Sequence, residues 1–450
     1  MTISCDVVVV GLGPGGESVA TQLAEAGLDV VGVESRLVGG ECPYYGCIPS
    51  KMVIRAADVL GEARRVPDLA GTVEVQPDFG VVARRIREEA TDDWDDTVAV
   101  RRLEDAGARV VRGHGRLAGP RTVTVGEETY EARVGVVLNP GTRPAELPVD
   151  GLADTPYWTN REVLRAEAAP ASMAVVGGGP IGAELAQAFG RFGTRVTVVE
   201  HGPRLLGPEE PEAGDLLADV FAEEDITVLT GAELKRVTYD DGRFTLQVDD
   251  QELDVEQLLV AAGRTPNLDD LGLETVGLDP GARAVEVDER MRAGDGLWVI
   301  GDVAGHGAFT HLSMYQAGVC VRDVLGQDGP PADYRAVPHA TFTDPEVAGV
   351  GLTEERARQA GLTVRTGTQD LSANTRGWIN RARGLVKLVV DADRDVLVGA
   401  TVVGPTAGDI LGHLALAVHA EVPVATLRSM IYAYPTMHRA ISEALADLDD

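Results

Sequence analysis

Apolar strand, glycine turn, helix, strand, acidic residue: this order occurs twice in the chain, and a third stretch, Leu297-Trp298-Val299-Ile300-Gly301-Asp302, is a short strand ending in Gly-Asp. After the linker-like Gly326–Pro331 the composition changes. These observations predict an α/β protein with two Rossmann-like dinucleotide-binding domains and a C-terminal α+β domain. A length of 450 residues is ample for about two to four domains. The expected boundaries are 1–145 and 268–335 for the first domain in two segments, 146–267 for the second, and 336–450 for the last.

The first unit runs from Asp6 to Glu34. Val7–Val10 reads as a buried parallel strand. Gly11-Leu12-Gly13-Pro14-Gly15-Gly16 is the turn, a helix is expected over Glu17–Ala26, Gly27 ends it, and Val30–Val33 is the next strand. In the second unit the strand is Met173–Val176 and the turn is Gly177-Gly178-Gly179-Pro180-Ile181-Gly182. A helix to Phe189 and a strand Arg195–Val199 follow. Leu297–Ile300 reads as the return of the chain to the first domain. In the last domain, strands are expected at Leu385–Val390 and Val396–Val403, and helices at Ile410–Ala420 and Val424–Met430.

The net charge is −31 and the isoelectric point about 4.6. Such a surface repels nucleic acid and anionic membranes, so neither is an expected partner. No apolar run is long enough for a membrane span. The N-terminus lacks a basic region and cleavage site, so a cytoplasmic protein is expected. Four cysteines in so long a chain do not make a disulfide framework. Cys5 and Cys320 read as buried small hydrophobes.

Each glycine in the first loop has its own task. Gly11 allows the tight turn, Gly13 lets the backbone approach a pyrophosphate, and Gly16 or Gly15 allows close helix–strand packing. The helix N-terminus offers free N–H groups to phosphate. Glu34, ending the second strand, is placed to accept from an adenosine ribose. Gly177, Gly179 and Gly182 repeat the pattern, and Glu200 closes it. An acid there pairs with a free 2′-hydroxyl and repels a 2′-phosphate, which favours NADH, with NADPH as the alternative.

Cys42 and Cys47 follow the first loop in Gly39-Gly40-Glu41-Cys42-Pro43-Tyr44-Tyr45-Gly46-Cys47-Ile48-Pro49-Ser50-Lys51. Proline suits the first position of a helix, so the thiols are expected at a helix N-terminus, whose dipole stabilises thiolate. A structural disulfide, a metal half-site and unrelated buried thiols are the competing readings. No second Cys or His cluster completes a metal site, and no metal is expected. Lys51 is one of only three lysines, with Lys235 and Lys387, so its place in this stretch is informative.

These residues resemble the pyridine nucleotide–disulfide oxidoreductases, which include lipoamide dehydrogenase, glutathione reductase and mercuric reductase. The family's Gly-Gly-x-Cys-x4-Cys-Ile-Pro-Ser-Lys block stands at 39–51. Its Ala-x-Gly-Arg-x-Pro-Asn block is Ala261–Asn267, its Gly-Asp block is Gly301-Asp302, and its interface-domain signature is Phe342–Ala348 followed by Val350–Glu354. The resemblance implies a homodimer through the C-terminal domain, FAD in the first domain and NAD(P)H in the second. It implies that hydride passes from nicotinamide to flavin and then to a Cys42–Cys47 disulfide. Cys47 becomes the thiol facing the flavin and Cys42 the interchange thiol. Lys51 lies near the flavin, ion-paired with Glu184, and Asp302 binds the ribityl chain. Gly40, Glu41, Gly115, Gly141, Ile181, Gly263 and Arg264 complete the expected cofactor-binding set, which Cys42, Lys51 and Glu184 share.

One departure matters. Where thiol-disulfide members carry His-x-His-Pro-Thr-x-x-Glu, this chain reads Tyr432-Ala433-Tyr434-Pro435-Thr436-Met437-His438-Arg439. Tyr434 takes the position of the general base and Arg439 that of its orienting acid. Free tyrosine has a pKa near 10, against roughly 6.5 for histidine, so it is a poor base and a fair proton donor at neutral pH. His438, four positions on, shares a face with Tyr434 if the segment is helical. Mercuric reductases also place a tyrosine in this region, but the chain ends without their vicinal cysteines. Tyr44 and Tyr45 either narrow access to the thiols, stack on an acceptor, or pack at a domain junction.

The expected function is electron transfer from NADH through FAD and the cysteine pair to a small oxidised acceptor, a disulfide or a metal ion, by an enzyme unlike a standard lipoamide or glutathione reductase. The alternatives are direct reduction of quinone or oxygen by FAD, and a non-catalytic flavin redox sensor.

Overall fold

The computed structural model describes residues 1–448. The chain divides into two compact units: Met1–Ser50, Ala83–Glu146 and Gly263–Asp333 in one, Lys51–Val82, Leu147–Ala262 and Tyr334–Asp450 in the other.

The first unit is built on a mixed sheet with a parallel centre. Thr2–Val10 lies at its centre, between Val30–Glu34 and Glu128–Leu138, and pairs parallel with both. Arg109–Arg112 extends the sheet on one side and Leu297–Val299 on the other. Val7, Val8 and Val9 are fully buried, as β-branched residues covered on both faces should be. Helix Pro14–Glu25 starts earlier than the sequence periodicity indicated. Pro14 costs no hydrogen bond there, because the first N–H groups of a helix have no partner inside it.

The second unit holds two sheets that matter here. The first is fully parallel, ordered Thr227–Thr230, Arg195–Glu200, Ser172–Val176, Gln257–Val260, with helix Pro180–Arg191 crossing between the two middle strands. The second is antiparallel, ordered Pro338–Thr341, Glu346–Gly351, Val396–Gly404, Leu385–Asp391, Val364–Asp370. Leu385–Asp391 and Val396–Gly404 are buried along their whole length, because both faces of the sheet are covered. Val386, Leu388 and Val390 pack with Leu411, Leu414 and Ile441 of helices Ala407–His419 and Arg439–Asp447. The opposite face carries Val389 with Ala357.

The two-residue period of a strand puts Lys387 on that same opposite face. Its ammonium is held by Glu210 at 2.9 Å, Glu212 at 2.8 Å and Glu354 at 3.0 Å. Burial alone lowers a lysine pKa, but the hydrogen bonds that the ammonium donates to the three carboxylates outweigh it and hold Lys387 above the ordinary range. Among the described residues no helix is long and apolar enough to cross a membrane.

Candidate functional site

The two glycine loops are near copies in space. Gly13 and Gly179 cap their helices with matching extended backbones and bring no side-chain cap, so both helix N-termini keep N–H groups for an anion, apart from the Gly16 N–H that Asn139 takes. A methyl on Gly16 would stand 2.0 Å from the Gly11 carbonyl oxygen, and one on Gly182 would stand 1.9 Å from that of Gly177. Only hydrogen fits at either crossing of helix and strand. Gly179 faces open space, whereas a methyl on Gly40 would lie 2.9 Å from Cα of Gly13.

Both acids brace these loops. Glu34 accepts from the Leu12 and Arg36 amides at 2.8 Å each. Glu200 accepts from the Gly178 and Gly202 amides at 2.5 Å each. A carboxylate has about four acceptor sites, so each acid can hold the loop and still take ribose hydroxyls. Burial raises the Glu34 pKa above the usual carboxylate range, and the amide hydrogen bonds oppose the rise. The donor set and the uncapped helices fit two dinucleotides.

Asp302 receives the Thr142 hydroxyl at 2.6 Å, and Arg264 donates to that hydroxyl at 2.7 Å and to the Thr142 carbonyl at 2.8 Å. Arg264 also lies 3.6 Å from Glu41. Gly141 and Gly263 have positive φ, which glycine adopts without strain. Gly115 instead packs against Val10 and Val33 within the sheet. Ile181 sits in the first turn of its helix, half-buried. Asn139, two residues before Gly141 and outside the expected cofactor set, is buried. With its amide turned to satisfy both neighbours, its oxygen accepts from Gly16 N–H at 2.8 Å and its nitrogen donates to the Ile300 carbonyl at 3.3 Å.

Cys42 lies in the short helix Glu41–Tyr45, and Cys47 opens the long helix Cys47–Leu69. Pro43 is therefore the third helical residue, not the first as expected from sequence. The position is tolerated because its missing N–H would have had no helical partner. Neither sulfur is in a disulfide; Cys47 is exposed and Cys42 half-buried, and Cys47 Sγ stands 3.4 Å from the Thr310 hydroxyl. A hydrogen bond with Cys47, together with burial, pushes the Cys42 thiol well above its ordinary pKa. Tyr44 is buried, with burial raising its pKa to about 12, so stacking on an acceptor is left to Tyr45 alone. Trp94 donates to the Tyr44 carbonyl at 3.2 Å and steadies the stretch between the cysteines.

In the second unit, Lys51 meets Glu184 at 2.8 Å, and the other Glu184 oxygen accepts from Phe342 N–H at 2.8 Å. The Phe342 ring lies 4.7 Å from the Lys51 ammonium. Tyr434 is 67% exposed, with the Arg439 guanidinium 5.9 Å from its ring centre. Tyr434 and His438 do not share a helix: the segment between them is irregular, and helix Arg439–Asp447 begins after His438. Proline disfavours helical backbone in the residue before it, and Pro435 follows Tyr434 directly. His438 faces His413, ring centres 6.1 Å apart.

Two glycine turns closed by acids and a cysteine pair at the head of a helix fit a nucleotide-dependent thiol oxidoreductase. The family pattern described as pyridine nucleotide-disulphide oxidoreductase matches residues 5–318, and that of the family's dimerisation domain matches 337–445. The chain belongs to this family. It is 34% identical to a dihydrolipoyl dehydrogenase of Thermus scotoductus, over 98% of this chain and 96% of that protein. It is 33% identical to a mercuric reductase of Acidithiobacillus ferrooxidans, over 96% of this chain and 80% of that protein. The structure resembles the Cu(II) complex of the HOCl-induced flavoprotein disulfide reductase RclA from Escherichia coli, with a TM-score of 0.87, 26% identity and 99% of both chains covered. The protein is thus an oxidoreductase of a family that uses FAD and NAD(P)H, and it carries that family's dimerisation domain.

Proposed function

We propose that this enzyme passes electrons from NADH to the Cys42–Cys47 pair and from there to a soft metal ion, with Cu(II) as the representative acceptor. The observation that carries this reading is the side chain at position 434. A disulfide acceptor needs a base to free the attacking thiolate and a proton for each departing sulfur. Tyr434 is exposed, has Arg439 beside its ring, and is a poor base at neutral pH. A thiophilic metal ion needs no such group, because binding to sulfur displaces the thiol proton itself. That suits a Cys42 thiol which burial and Cys47 hold protonated. The copper complex of RclA and the mercuric reductase relative support the same acceptor class.

When bound, FAD supplies the two-electron relay between nicotinamide and sulfur. The loop Gly11–Gly16, Glu34, Gly141 and Asp302 would hold it. The loop Gly177–Gly182 with Ile181 and Glu200 would hold NADH, the Glu200 carboxylate disfavouring a 2′-phosphate. Lys51, steadied by Glu184, places a cation where reduction leaves negative charge. Cys42 and Cys47 bind the metal as thiolates and release two protons. Each sulfur then gives up one electron, the S–S bond forms, and two Cu(II) become two Cu(I). The next NADH restores the dithiol. The enzyme works as a homodimer through residues 336–450, in the cytoplasm where reduced pyridine nucleotide is made.

The test is an anaerobic titration with NADH followed by an acceptor screen. Uptake of two electron pairs per subunit shows a working disulfide, whereas uptake of one leaves the cysteines outside the circuit. Turnover with Cu(II) that vanishes in Cys42→Ser, with little turnover of lipoamide or glutathione disulfide, supports the reading. Undiminished turnover in Cys42→Ser with a quinone or oxygen would replace it with direct flavin chemistry.

A further inference from the structure

Helix Pro180–Arg191 turns one face, Glu184, Gln187 and Arg191, toward the segment Phe342-Thr343-Asp344. Spacings of three and four residues align these side chains. Glu184 accepts from Phe342 N–H. The Gln187 amide meets the Asp344 backbone twice, accepting from its N–H at 2.7 Å and donating to its carbonyl at 2.8 Å, as a neighbouring strand would. Arg191, 1% exposed, binds the Asp344 carboxylate at 2.8 Å, Glu224 at 2.7 Å and Asp58 at 3.1 Å. Arg65 also bonds to Asp344. A methyl on Gly61 would stand 2.7 Å from the Arg191 guanidinium, so the helix Cys47–Leu69 offers a gap where that group enters.

The segment 342–344 is therefore a strap clamped at one end by Gln187 and Arg191. Its other end touches both members of the Lys51–Glu184 pair, the amide on Glu184 and the ring beneath Lys51. A lysine half open to water has many rotamers, and an ion pair of that kind contributes little unless its geometry is imposed. We infer that Gln187 and Arg191 are positioning residues for Lys51, acting through the strap. The inference rests on the proposed role of the Lys51–Glu184 pair beside the flavin.

The test compares Gln187→Met, Arg191→Lys and Glu184→Gln in the FAD-loaded enzyme. Gln187→Met removes both strap bonds and no charge. Arg191→Lys keeps the charge and loses the fork. Two readouts are taken. The first is the acetylation rate of Lys51 relative to Lys235, which mass spectrometry resolves cleanly in a chain with three lysines. The second is the rate of flavin reduction by NADH under anaerobic conditions. Lys51 labelling rises and flavin reduction slows, each roughly three- to thirtyfold, in Gln187→Met, with the KM for NADH unchanged and with an effect that does not add to that of Glu184→Gln. Unchanged labelling and reduction in both Gln187→Met and Arg191→Lys, with both altered in Glu184→Gln, would overturn the strap and leave the pair standing. A lowered melting temperature alone would also overturn it, as a purely structural role. Normal reduction in Glu184→Gln would overturn the reading of the pair, and the strap's effect on reduction with it.

Discussion

Replacing Lys387 with methionine tests how the buried charge cluster is balanced. Lys387 is 5% exposed in side chain and Glu210 is 2% exposed, and the ammonium also meets Glu212 and Glu354. Methionine keeps most of the stem, so no large cavity forms on the sheet face. What remains is a buried Glu210 carboxylate that accepts from the Glu354 amide at 2.6 Å, with the Glu212 and Glu354 carboxylates left around the vacated ammonium position. Removing one member of a buried pair costs about 3–5 kcal/mol, because the other charge is left uncompensated. For a unit of this size that is roughly 6–20 °C of melting temperature. Thermal melting by circular dichroism measures the loss, and the double variant Lys387→Met/Glu210→Gln should recover most of it. A single-variant loss under about 1 kcal/mol, or a double variant no better than the single, would refute the claim that Lys387 neutralises a buried acid.

Other consequences can be measured directly. Burial raises the Asp58 pKa from 3.8 to about 6, against the pull of Arg191. An acid with a raised folded-state pKa binds more protons folded than unfolded across that window, so its cost is absent below pH 3.8 and complete above pH 6. Its side chain is 35% exposed, which scales the penalty down to about 1 kcal/mol. Asp58→Asn should thus raise the melting temperature at pH 7.5 and leave it unchanged near pH 4, and an equal effect at both would be inconsistent with this origin. Gly16→Ala drives a methyl into the Gly11 carbonyl; it should cost about 1–3 kcal/mol and reduce the flavin-to-protein absorbance ratio of the purified enzyme. Tyr434→His with Arg439→Glu restores a base and its orienting acid, and lipoamide turnover should rise at least about tenfold; no gain would mean that position 434 does not govern acceptor choice.

The features legible in sequence are those whose physics is local. A glycine loop, its following helix and the acid closing the next strand lie within one short stretch, so both copies could be read residue by residue. Cys42, Cys47 and Lys51 were equally close together. Gln187 and Arg191 escaped notice, because each acts on a group far away in sequence and has no pattern of its own. Tyr434 and His438 would share a face only on a helix, and Pro435 keeps the residue before it out of one. The Phe342 block was recognised as a signature, but its hold on Glu184 is made by a backbone amide, which no side-chain pattern reveals.

The twin acidic braces limit how this enzyme could be re-engineered. Glu200 is both the expected gatekeeper against a 2′-phosphate and the buckle that ties Gly178 to Gly202. Exchanging it for arginine to admit the phosphorylated coenzyme would remove an acceptor from two amides at once and loosen the loop meant to grip the pyrophosphate. A coenzyme switch in this scaffold therefore requires at least two coordinated changes, one to welcome the phosphate and another to refasten the turn. A search that varies one position at a time would pass through a variant that grips neither coenzyme.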